Sequence, residues 1–236
     1  MPVVIDALEE LPAGSHCLSF HVDRLEAREH AIAFLAGAPA GQAATYWVTS
    51  DEQKRFYEAA LASRSPGQLG CVAILDHEQV ERAEGRLRPA AEVRSFLALH
   101  PDGVTAAGET ITQYWTPGCI SDHLEYEAWF QDQPNENSRF LCPYGLPTIA
   151  GDRAVEVVRS LGAHHSHIAL SKSQHPAVRL LQLFVFPSLS EISPQLVPIK
   201  EWAISEGYVE IVEDRPDLSL TEAGERVVRQ WSQRDS

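Results

Sequence analysis

Residues 14–30 read GSHCLSFHVDRLEAREH. An apolar run from His16 to His21, a polar turn and a helical stretch with Leu25, Ala31, Ile32, Phe34 and Leu35 on one face predict a strand, a turn and a helix. In α/β folds that junction is where nucleotide phosphates sit, on the N-terminus of the helix. A phosphate loop needs glycine there, so that backbone N–H groups can close on the anion. No glycine lies between Phe20 and Arg28, and no Gly-Lys-Ser or Gly-Lys-Thr occurs in the 236 residues. The junction therefore has a nucleotide site's architecture without its phosphate chemistry.

Outward from this unit the pattern repeats. Strand-length apolar runs at 43–49, 70–76, 103–111, 139–145 and 167–171 alternate with helical stretches at 50–61, 89–100, 119–132 and 150–163, the last ending at Gly162. Ser50 or Asp51 suits the N-cap of the second helix, and Pro89 the first turn of the third. Such alternation predicts an α/β fold: a mostly parallel sheet with helices on both faces. Ligands of such sheets bind at the carboxyl ends of the strands, which directs attention to His21, Thr49, Asp76, Glu109 and Cys142.

Composition narrows the classes. Apolar residues make up 44% of the chain and charged ones 22%, which fits a folded globular protein. The longest apolar run, LLQLFVF at 180–186, is too short to span a bilayer, and no membrane association is expected. The first eleven residues are acidic and unlike a secretory signal, so a cytoplasmic location is expected. A net charge of −14 disfavours broad contact with nucleic acid. Cys17, Cys71, Cys119 and Cys142 form no C-x-x-C pair and read as buried thiols.

Five short features occur in an order that resembles the MEDS sensory domain of regulators from methanogens and methylotrophs. They are His16 opening the first strand, YWVTSDE at 46–52, Gly108-Glu109, Tyr126-Glu127, and Cys142 with Tyr144. The resemblance covers residues 14–186. Thr112 stands near the place of a family tryptophan, Gly145 stands where an aspartate often follows, and Cys17 directly follows His16. The resemblance implies a RecA-type sheet without an ATP loop and a sensor of simple hydrocarbon derivatives. It implies no catalysis and no cofactor, with ligand contacts from His16, Thr49, Glu109, Tyr126, Glu127, Cys142 and Tyr144, to which the strand-end argument adds His21.

Each of these residues also has a plainer reading. His16 can serve a backbone hydrogen bond, and the two strand cysteines can pack as small apolar groups. Glu127, on an amphipathic helix, reads as a solvated face or a salt bridge. Glu109 has to be exposed, paired or functional, because an unpaired buried carboxylate is costly. The AHHSH run at 163–167 reads as a surface loop, and no metal site is expected there or elsewhere.

A domain boundary is expected near 187, where FPSLSEISPQLVP at 186–198 resembles a linker. Residues 14–187 then form the sensory domain and residues 188–236 a winged-helix-like tail. In the tail a helix precedes a hairpin over YVEIVEDRPDLSLT, and Thr221 caps a closing helix. The tail carries 5 Lys/Arg against 10 Asp/Glu, a net of −5, which disfavours DNA and favours a protein partner or a second copy of the chain. The expected function is a small-molecule sensor in signal transduction or transcriptional regulation. A DNA-binding regulator using the tail is the alternative.

Overall fold

A computed structural model describes residues 2–39, 41–48, 51–62, 72–76, 81–83, 86–88, 91–108, 125, 127–128, 136–149, 153–212 and 217–230, with backbone alone for 72–93, 147 and 148. The strands are β1 (Val3–Ile5), β2 (Ser15–His21), β3 (Ala43–Val48), β4 (Val72–Asp76), β5 (Glu81–Ala83), β6 (Arg86–Arg88), β7 (Val104–Gly108), β8 (Arg139–Gly145), β9 (His167–Ala169), β10 (Val209–Ile211) and β11 (Leu218–Leu220). The helices are α1 (Arg24–Ala36), α2 (Asp51–Ala62), α3 (Ala91–Leu99), α4 (Leu146–Ile149), α5 (Ala154–Ala163), α6 (Pro176–Leu183), α7 (Val197–Ser205) and α8 (Glu222–Arg229). The fold is α/β, as the alternation predicts. Seven strands form one sheet in the order β1-β9-β2-β8-β7-β3-β4, and β10-β11 and β5-β6 are separate antiparallel pairs.

The chain divides into two compact units. One comprises residues 7–17 and 28–143, and here β3 pairs in parallel with both β4 and β7, and β7 with β8. β3, β7 and the 139–143 part of β8 are buried at every position, the mark of strands covered on both faces. Gly108, paired with Trp47 across β3 and β7, is glycine for a packing reason. A Cβ there would stand 3.1 Å from the Trp47 ring. The β7–β8 register ends at Ala107↔Leu141, short of Pro143, which has no N–H to give to β7. Gly103 enters β7 at φ +104, and a Cβ there would lie 2.5 Å from the Asn137 carbonyl. At that end of the strands the Arg139 guanidinium lies over the Phe34 ring and donates to Thr105 Oγ1 at 3.0 Å and to the Gly37 carbonyl. Burial lowers its pKa.

The other unit comprises residues 1–6, 18–27 and 144–236, so the tail shares it with α5 and α6. β1, which the sequence pattern did not suggest, pairs in parallel with β9 from Val3↔His167 to Ile5↔Ala169. α6 is the apolar centre: Ala177, Val178, Leu180, Leu181, Gln182 and Leu183 are all buried. Pro176 begins it and His175 caps it, accepting from the Ala177 N–H at 3.2 Å. α7 and α8 both pack on α6, and Arg179 sits 3.9 Å from the Trp202 ring centre. β10 and β11 form the expected hairpin, and Thr221 caps α8 by accepting from the Gly224 N–H.

Two expectations change here. Gly162 does not end α5, which continues to Ala163. It is glycine because a Cβ would collide with the Val185 carbonyl. The AHHSH run is not a surface loop throughout. His165 is 3% exposed, and its Nδ1 lies 2.7 Å from the Leu161 carbonyl. No described helix is long and apolar enough to cross a membrane.

Candidate functional site

The opening strand–turn–helix resolves first. Asp23 Oδ1 accepts the Glu26 N–H at 2.9 Å, and Glu26 Oε2 reaches back to accept the Val22 N–H at 2.7 Å. This is a reciprocal cap of the capping-box kind. The Glu26 N–H in the first turn and the Val22 N–H just before it are taken by the chain's own carboxylates, and two acidic side chains stand where an anion would dock.

The chemistry lies in the unit of residues 7–17 and 28–143. His16 is the second residue of β2, Cys142 lies mid-way along β8, and Glu127 is helical, as are Glu125 and Ala128. β2 and β8 are neighbours in the sheet, which brings together residues 126 positions apart. His16 Nε2 lies 3.1 Å from Glu127 Oε2 and 3.2 Å from Cys142 Sγ, and the thiol lies 3.7 Å from Glu127 Oε2. Glu127 is fully buried, His16 is 5% exposed and Cys142 8%. The Phe140 ring meets the imidazole edge-on at 6.3 Å and helps to fix its plane.

Electrostatics set the state of the thiol. Burial, then the Glu127 charge, then Cys17, push the Cys142 pKa well above the ordinary thiol range. A catalytic cysteine needs the opposite shift, toward thiolate, from a neighbouring cation or a helix N-terminus. Cys17 and Cys142 are both buried and carry no disulfide.

Of the eight residues singled out by sequence, His16, Glu127 and Cys142 form this cluster. His21 and Tyr144 lie in the other unit, both buried, and His21 Nε2 engages Ser19 Oγ at 2.9 Å. Thr49, Glu109 and Tyr126 lie outside the described residues. Glu127 is no solvated face; it is buried, with its carboxylate 3.1 Å from His16 Nε2. Its two strand residues, His16 near the start of β2 and Cys142 mid-way along β8, lie away from the carboxyl ends where the fold class directs attention. A cavity of about 360 Å³ opens elsewhere, in the 144–236 unit, with Ala154, Arg159, Asp217, Leu220 and Val228 in its lining. Neither the joining of the three residues nor that cavity has a local sequence signal.

Comparison of the chain with protein-family models, with curated proteins and with solved structures finds no match.

Proposed function

We propose that this chain is a non-catalytic sensory protein of the cytoplasm. It binds a small organic molecule and passes the signal through residues 188–236 to a protein surface, a second copy of the chain included. The observation that carries the reading is the buried His16–Glu127–Cys142 cluster, polar chemistry placed inside an α/β sheet. Its thiol is held protonated, which suits recognition better than nucleophilic attack. The self-capped start of α1 argues against a nucleotide. The MEDS resemblance, which rests on the order of five short motifs, points to a simple hydrocarbon derivative as ligand.

The test is thermal unfolding of the full-length chain against a panel of halogenated one-carbon compounds and small carbonyls, with product analysis of the same samples. A saturable rise in melting temperature without turnover is expected. A ligand at about 100 times its Kd adds roughly 2.7 kcal/mol. Turnover of any panel member, or a flat response to all, overturns the reading.

One observation favours a second reading, direct DNA contact. α6, α7, the β10–β11 hairpin and α8 follow one another in the order of a winged helix. The tail's net charge of −5, from 5 Lys/Arg and 10 Asp/Glu, weighs against it. Duplex binding that weakens steeply with salt would establish this second reading.

A further inference from the structure

We propose that His16 Nε2, Glu127 Oε2 and Cys142 Sγ together bind one divalent transition-metal ion, with zinc as the best match. The inference concerns the same three side chains as the small-molecule reading but does not depend on it, since the ion can bind whether or not an organic ligand does.

The donor set comes first. One imidazole nitrogen, one carboxylate oxygen and one sulfur are the three ligand types that zinc takes, and the mixed hard and soft character disfavours magnesium and calcium. Geometry agrees. On a tetrahedral zinc, bond lengths of about 2.0–2.1 Å to N and O and about 2.3 Å to S place N and O roughly 3.3 Å apart. Either then stands roughly 3.6 Å from the sulfur. The observed separations are 3.1 Å for N to O, 3.2 Å for N to S and 3.7 Å for S to O. The three donors already surround a point at coordination distance, and a few tenths of an ångström of adjustment would complete the fit.

Proton counting adds a second argument. With Glu127 ionised, the imidazole Nε2 and the thiol carry at most two protons between them. Three short edges link the three atoms, so every arrangement leaves one edge without a hydrogen between its ends. A cation at the centre serves all three. Charge balance adds a third argument. Glu127 is 0% exposed, so charge gathered at the site is best balanced within it. A divalent ion with one carboxylate, one thiolate and a neutral imidazole sums to zero, which a protein interior tolerates best. On binding, Cys142 forms a sulfur–metal bond and its proton leaves to solvent.

The experiment uses the full-length chain, stripped with chelator and titrated with Zn²⁺ and, separately, with Co²⁺ as a spectroscopic probe. One ion per chain is expected, with a thiolate-to-cobalt charge-transfer absorption. Cys142→Ser should abolish that absorption, and both Cys142→Ser and Glu127→Gln should weaken zinc binding by at least about 100-fold, beyond what loss of an outer partner does. Circular dichroism shows whether the variants fold. If they do not, the wild-type cobalt spectrum decides: a thiolate band upholds the site and its absence overturns it. Zinc binding no tighter than the micromolar range, or equal in Cys142→Ser, also overturns it.

Discussion

Cys142 shows how one side chain ties the sheet to its chemistry. It is a strand residue whose small apolar character suits β8, and its sulfur meets both an imidazole and a carboxylate. Burial, Glu127 and Cys17 raise its pKa well above that of an unfolded thiol. Between the unfolded value, about 8.5, and the folded one, the native state keeps a proton that the unfolded chain has released. The stability this contributes is complete below the unfolded value and declines as pH rises through the folded one. With chelator present, urea unfolding of the wild type should therefore lose stability more steeply between about pH 8 and pH 10 than unfolding of Cys142→Ala. Equal slopes would mean that the thiol environment is not as described. At this scale the sequence was informative about residue types and silent about their meeting. His16, Glu127 and Cys142 each stood out, but positions 16, 127 and 142 share no spacing rule. Their contact is made by strand order, which pairs β2 with β8 across most of the chain.

The elements most legible in the sequence are those whose pattern is local. β8 runs from Arg139 to Gly145, as the apolar run predicts, and α8 begins where Thr221 caps it. α6 was hard to delimit because the apolar run LLQLFVF starts in its middle and continues past its end at Leu183, so the run marks neither boundary. Three-residue strands such as β1 carry too few positions for any period to emerge. α1 was legible in outline, but its consequence lies in the caps. Asp23 takes the Glu26 N–H and Glu26 the Val22 N–H, which places two carboxylates where a phosphate would approach. Calorimetry with ATP and magnesium should therefore show no binding in the micromolar range. Asp23→Ala should destabilise the chain by about 1 kcal/mol, the usual worth of an N-cap. Micromolar ATP affinity in the wild type would contradict the self-capped terminus.

For the whole molecule, the linker-like composition of residues 186–198 suggests a boundary, and the elements on either side of it, α6 and α7, lie in one compact unit. Pro198 there lies in the first turn of α7, and α6 packs on both α7 and α8 within one unit. A tail of about 50 residues has too little apolar surface to make a core alone. It solves that problem by covering a helix that has no exposed face. Val209, Leu218 and Val228 are buried in this arrangement, whereas Ile204 and Ile211 remain exposed. Arg159 fastens the hairpin to α5, donating to Asp217 Oδ1 at 2.6 Å and to the Leu218 carbonyl. That pair is about a third exposed and contributes only ~1 kcal/mol or less. The apolar contact carries the join. Each buried leucine stabilises by roughly 1.5–3 kcal/mol, so uncovering even part of Leu180, Leu181 and Leu183 rivals the margin by which a domain is stable. A chain ending at residue 187 should therefore lose its cooperative unfolding transition or aggregate, and should not persist as a smaller, equally stable domain. Scanning calorimetry of the truncated and full-length chains reads this directly. A sharp transition at an unchanged temperature in the truncated chain would show that the tail is a separate module after all.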